Sequence, residues 1–317
     1  MVGLSLGEQT FIKGGIEQDL RTDGRKRLTY RPIFLETGII PQASGSARVK
    51  LGATDVIASV KVELGKPNPS YPDKGKVSIY VDCSPTAEPS FQGRGGEELS
   101  TELSSALERC LLGGKSGAGT TYEHMTIRLR SLHIHLLQFL VSEFAPGAGI
   151  DLSSLCIVRG KKVCWDLYID GLVVSSDGNM LDALGAAIKA ALSNTVIPKV
   201  QVSANAPSDE TPEVDVSDEE FLQFDTSGVP VIVTLTKVGG HYIVDATTEE
   251  ESQMSSAVSV SINRLGRICG LTKRGGAGLH PTVVLDTISA AKHVSEQLMN
   301  KLDSEIAAAE ACDEMES

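Results

Sequence analysis

The sequence has no C-x-x-C pair: its six cysteines, at 83, 110, 156, 164, 269 and 312, are scattered. That scatter argues against a structural zinc site and for reduced thiols acting as small buried hydrophobes in an intracellular protein. No apolar run approaches the roughly 20 residues that a membrane-spanning helix needs, so no membrane is expected among its partners. Residues 1–20 lack a basic region followed by an apolar stretch, and no secretory signal is expected there. Nothing in the composition signals collagen, a coiled coil or wholesale disorder, and no internal repeat of roughly 20–50 residues is visible.

Positive charge is also missing from two stretches. Residues 205–225 hold eight acids and no base, and residues 301–317 hold six acids and one lysine. These two stretches carry −13 against a net charge of −12, so the rest is near neutral at about +1. A near-neutral body is a poor stand-alone nucleic-acid binder, because phosphate affinity comes mainly from clustered Lys and Arg. Any RNA contact should be local or shared with partner subunits.

What is present suffices for a folded body. The chain has 317 residues, 41% of them hydrophobic, enough for one large core or two modest ones. Residues 5–20 read as a helix, with Ser5 and Glu8 as a capping box and Gly14 and Gly15 as a point of kinking or division. Residues 32–36, 46–51, 54–64 and 76–83 read as strands. A helix over 97–112 carries Leu99, Leu103, Leu107 and Leu111 on one face and ends at Gly113 and Gly114. Residues 155–158 and 163–174 read as strands, and 180–194 as a helix with Leu181, Leu184, Ile188 and Leu192 on one face.

Residues 198–225, acidic and containing Pro207 and Pro212, read as a solvated connector. Strands follow over 229–238, 242–245, 257–264 and 268–273. A helix over 282–306 presents Val284, Ile288, Ala291, Val294, Leu298 and Leu302, and the acidic tail beyond it is expected to be disordered. Strands then helices, twice over, define an α+β class with mixed sheets and packed helices.

Residues 19–64 carry Arg21-x-x-Gly24-Arg25, then Gly45-Ser46-Ala47-x-Val49, then Gly52-x-Thr54-x-Val56. With the stretches at 91–111 and 164–179 and the run DALGAAIK at 182–189, they closely resemble the RNase PH family, and within it the ring subunits of the eukaryotic RNA exosome. The likeness spans residues 5–118 and 149–300. It implies an RNase PH-like fold, a duplicated, mixed-sheet unit like domain 2 of ribosomal protein S5. The implied division is an N-terminal helix and arm over 1–30, domain 1 over 31–200, an acidic connector over 201–225, domain 2 over 226–303 and an acidic tail over 304–317. The implied partners are other RNase PH-like subunits, pairing as heterodimers within a six-membered ring that closes by head-to-tail contacts. S1/KH-type cap subunits and single-stranded RNA complete that set. The implied compartments are nucleus, nucleolus and cytoplasm.

Phosphorolysis by active relatives needs acids to hold a divalent metal and a basic cradle for the attacking phosphate. Their two acids, six residues apart, fall here on Glu251 and Ala257, so one carboxylate has become a methyl group. Leu181 falls near the place of the phosphate-binding arginine, and no Arg lies anywhere in 177–192. With two independent parts lost, the resemblance implies a non-catalytic subunit with no metal or cofactor of its own. That subunit would support 3′-to-5′ RNA processing and degradation, including ribosomal RNA maturation and mRNA turnover. A second acid and an arginine converging on Glu251 from elsewhere in the chain would restore the chemistry. The alternatives are an active phosphate-dependent 3′-to-5′ exoribonuclease and a stand-alone RNA-binding module.

Arg94, in the Gly-rich stretch 93–96, is a candidate RNA phosphate contact, evenly balanced against a solvated loop arginine; Lys66 is a weaker one. Arg21, Arg25, Lys26, Arg27 and Arg31 form a basic cluster that reads as structural, with Asp19, Asp23 and Glu36 as partners. Glu249, Glu250 and Glu251 read as a solvated edge, and Trp165 as core. His133 and His135 have strand-like metal spacing but no further ligand nearby. Residues 120–146 match nothing in the family and are flanked by Gly-Ala-Gly at 117–119 and 147–149, the mark of an insertion placed in a surface loop.

Overall fold

The computed structural model describes residues 4–113, 149–158, 163–202, 214–276 and 280–316. The insertion at 120–146, with His133 and His135, lies outside the described residues. Helix α1, Leu6–Glu17, opens on the expected Ser5–Glu8 capping box and runs unbroken through Gly14 and Gly15. Strands β1 (Ile33–Thr37), β2 (Gly45–Leu51), β3 (Thr54–Gly65) and β4 (Lys76–Cys83) follow. Helix α2 is Arg94–Leu111, so Arg94 is its first residue and not a loop arginine. Gly93, with φ +70, makes the turn into it. Strands β5 (Cys156–Val158) and β6 (Val163–Ser175) precede helix α3, Met180–Ser193.

The first sheet has the order β1-β2-β3-β6-β4, with β5 also on β6. All its pairs are antiparallel except β4 with β6. A second, antiparallel sheet has the order β10-β9-β11-β12. Its strands are β9 (Val231–Val238), β10 (His241–Val244), β11 (Met254–Ile262) and β12 (Ile268–Arg274). Helix α3 touches β2 and β3 of the first sheet and β9 of the second, and α2 bridges β4 and β12. One apolar core therefore runs from sheet to sheet through these helices.

That placement explains why α3 is buried all round, not along one stripe. Its Ala residues and Gly185 let the backbone come close; a Cβ on Gly185 would lie 2.9 Å from Ile232 Cδ1. Strand β11 is likewise buried on both faces, so the small polar face of Ala257, Ser259 and Ser261 is internal. Trp165, Cys83, Cys110, Cys164 and Cys269 are core residues. Burial pushes the Cys110, Cys164 and Cys269 thiols up to about 12, which keeps them protonated and inert.

Two expectations are overturned. The acidic connector contains structure: β7 (Val196–Val202) and β8 (Val214–Gln223) pair antiparallel as a two-stranded ribbon. Facing pairs such as Val200–Val216 and Ile197–Leu222 supply the apolar cross-strand contacts that the acids hide from a compositional reading. The acidic tail is not disordered either, because helix α5 runs Pro281–Glu316. Past the expected end at residue 306, Ala309 still packs against the core, and the Ala-rich sequence there favours helix. A further short helix, α4 (Thr248–Ser252), was hidden in the glutamate run.

Candidate functional site

Residues 21–31 form an arm laid over the end of β10 and the start of α4. Arg21 is fully buried. Its Nε donates to Glu250 Oε1 at 2.8 Å, Nη1 to Val244 O at 2.9 Å and Nη2 to Asp245 O at 2.8 Å. Nη2 also pairs with Glu250 Oε2. Glu250 is therefore an internal ion-pair partner and not part of a solvated edge. Its carboxylate also receives the Thr247 N–H, closing a capping box on α4.

Asp245 is the hub. Arg31 Nε and Nη2 donate to its two carboxylate oxygens at 2.9 and 2.7 Å, and the Arg31 N–H donates at 2.8 Å. Arg25 Nη1 adds a bond at 2.8 Å and Asn179 Nδ2 another at 3.0 Å. Arg31 Nη1 continues to Asp177 at 3.0 Å. Burial works against the Arg31 charge, and the Asp245, Asp177 and Glu250 carboxylates together more than offset it, so the Arg31 pKa is raised. The basic cluster is thus structural, as expected, though Asp245 and Glu250 take the main partner roles. Glu36 lies instead beside Arg48, and Arg27 pairs with Asp19 and His241.

The positions singled out in the sequence, Glu251, Ala257 and Leu181, lie around one corner. The turn Asp177–Gly178–Asn179 enters α3, with Gly178 at φ +74 and Asn179 at φ +54. A Cβ on Gly178 would lie 2.5 Å from Ala246 O and 2.8 Å from the Thr247 carbonyl carbon. That close approach brings α4 against the turn, and the Asn179 N–H donates to Glu251 Oε1 at 3.0 Å. Two residues on, Leu181 is buried in the core. Ala257, 1% exposed, stands opposite Arg274 of β12. Arg274 Nη2 lies 3.8 Å from Glu251 Oε1, and its buried Nε has no hydrogen-bond partner among the described residues. Burial raises the Glu251 pKa, and the Arg274 charge and the Asn179 N–H only partly offset this.

An arginine does therefore converge on Glu251 from elsewhere in the chain. The neighbouring acids Asp245 and Asp177 are engaged by Arg25 and Arg31, and Ala257 supplies no carboxylate. Among the described residues, no group of three or more His, Cys, Asp and Glu side chains could share a metal ion. The Arg274 guanidinium, 3.8 Å from Glu251 Oε1, would compete with a divalent cation for that carboxylate. Arg94 and Lys66 are both exposed, Lys66 just beyond β3. Neither has a hydrogen bond or ion pair to a described residue.

Sequence reasoning missed Arg274 and Asp245 as members of this corner. The Thr247-x-x-Glu250 spacing was an available signal for α4. Nothing local marks Arg274, because only strand register sets it opposite Ala257.

The chain matches the 3′ exoribonuclease family, domain 1, over residues 29–198 and domain 2 over residues 228–294. It belongs to this family, with the RNase PH-like two-part fold of mixed sheets and packed helices. Within the family it resembles the Rrp42 type. A Dictyostelium discoideum relative named as an exosome complex exonuclease, RRP42, is 35% identical over 96% of this chain and 98% of its own. The exosome complex component Rrp42 of Methanothermobacter thermautotrophicus is 31% identical over 89% of each chain. A chain of the Archaeoglobus fulgidus exosome, solved with RNA bound to the active site, superposes with TM-score 0.66 at 26% identity. That match covers 93% of this chain and 97% of the other.

Proposed function

We propose that this chain is a structural ring subunit of the RNA exosome that does not itself cleave RNA. One observation carries the non-catalytic part: Ala257 faces Arg274 where a second metal-holding acid would stand, leaving Glu251 paired to an arginine. A lone carboxylate facing a guanidinium provides no metal site and no free cation for an attacking phosphate. The likeness to exosome components over nearly the whole chain supports the ring assignment. In this reading its neighbours are other RNase PH-like subunits and S1/KH-type caps. Its route is 3′-to-5′ processing and decay of ribosomal and messenger RNA in nucleus, nucleolus and cytoplasm. Arg94 and Lys66 are backbone-phosphate contacts that position RNA without reading its sequence.

The purified chain, given single-stranded RNA, orthophosphate and magnesium, should release no nucleoside diphosphates. Release that is abolished by Glu251→Ala overturns the non-catalytic reading. Size measurement with candidate ring neighbours should show stable heterodimers, and failure to pair with any of them overturns the scaffold reading.

A further inference from the structure

The β7–β8 ribbon exposes apolar and acidic groups together. Phe221 and Leu222 are 53% and 59% exposed. Neighbouring residues on a strand point to opposite faces, so Phe221 stands on the face away from Leu222, whose cross-strand partner Ile197 packs against the core. The β7 side is tied to the body, where the Val196 N–H donates to Ser44 O at 3.1 Å. On the β8 side no other described strand pairs.

Strand β8 is also bulged. Val200 faces Val216 and Pro198 faces Phe221, so two steps along β7 span five along β8. Ser217 Oγ accepts from the Glu219 and Glu220 N–H groups at 3.4 and 3.1 Å, holding that bulge outward. A bulge interrupts the ladder and re-aims side chains, which makes plain strand addition a poor use of this edge. It presents Glu219 and Glu220 immediately beside Phe221, with Asp215 further along the exposed strand. Lys199, bridged to Glu220 at 2.6 Å, is the single base on the described ribbon.

We infer that this ribbon is a docking knuckle for a partner protein whose surface carries Lys or Arg beside an apolar socket. Phe221 supplies the apolar anchor, as large side chains do at interface centres, and Leu222 adds apolar surface at the ribbon's other face. Asp215, Glu219 and Glu220 supply orientation and an enhanced rate of encounter. The same charge repels RNA phosphates, and a second copy of this acidic ribbon would be repelled as well. The inference does not depend on the ring reading, because it concerns groups that the chain's own body leaves uncovered.

The full chain can be titrated with a peptide of alternating lysine and valine, a matched glutamate–valine peptide and oligouridylate. The lysine peptide alone should bind, with hydrogen-exchange protection in β8 and loss of affinity at high salt. Phe221→Ser with Leu222→Ser should weaken binding by about tenfold or more. Asp215→Asn, Glu219→Gln and Glu220→Gln together should weaken it by about tenfold or more as well. These side chains are exposed, and unchanged circular dichroism would verify that the body is intact. Undiminished binding by both folded variants overturns the inference, as does absence of binding or oligouridylate competing for β8. None of these outcomes bears on nucleoside diphosphate release or on pairing with ring neighbours.

Discussion

Asp245 and Arg31, 214 residues apart in sequence, form a buried two-pronged carboxylate–guanidinium pair. The pair fastens the N-terminal arm to the second sheet, and Arg25 and Asn179 complete it. The Asp245 backbone is in the left-handed region, φ +49, held there by the bonds its carboxylate receives.

Asp245→Ala should therefore destabilise the chain severely. Removing one partner of a buried pair costs roughly 3–5 kcal/mol, since Arg31 would keep its charge with only Asp177 left to accept from it. The midpoint of urea unfolding should fall accordingly, and a loss below about 1 kcal/mol would show the network to be dispensable.

Gly178→Ala should destabilise at the candidate site itself. The added methyl meets backbone atoms of residues 246 and 247, and φ +74 is unfavourable for alanine. A loss of about 2 kcal/mol or more is expected by thermal unfolding. Gly239, also at positive φ but with open space around its Cβ, is the control: Gly239→Ala should cost only about 1 kcal/mol.

Lys189 gives a pH-dependent prediction. Its Nζ donates to Val229 O at 3.0 Å, and burial lowers its pKa to about 8, with the Arg264 charge adding to the effect. The folded value lies below the unfolded one, so protonation opposes folding. That opposition is full below about 8 and fades as pH rises towards the ordinary lysine value of 10.5. Lys189→Met should be more stable than wild type at pH 7, with the gap closing towards pH 10.5. Denaturant melts across that range would test it, and a constant gap would contradict it.

Asp182 gives the opposite test. It accepts Tyr30 Oη at 2.7 Å, Thr234 N at 2.9 Å and Thr234 Oγ1 at 2.6 Å. Burial nevertheless raises its pKa to about 6, from 3.8. The folded state thus favours the protonated acid. Its contribution is fully present below pH 3.8 and is lost as pH rises through about 6. The stability difference between wild type and Asp182→Asn should shift in that window, against wild type as pH rises. A flat difference would place the carboxyl's titration elsewhere.

Much of the fold was legible because its elements obey simple periods. The leucine stripe gave α2, and alternating burial of Thr54, Val56, Ala58 and Val60 matches β3. The reading failed where composition misled. Acids in the ribbon and in the last turns of α5 looked like solvated chain, while Val216 and Ala309 carried the structure. Glu249, Glu250 and Glu251 looked alike in sequence, but their helix turns Glu250 towards Arg21 and Glu251 towards Asn179.

The sequence by itself determined the family, most strands and helices outside the ribbon and α4, and the residue types at 181, 251 and 257. Those are properties of residue type and spacing, which a chain carries before it folds. Only the tertiary structure decided what faces Glu251, because Arg274 arrives through the register of β11 with β12. Pairings between residues distant in sequence have no local signature, and they set which charges are neutralised and which groups are left exposed.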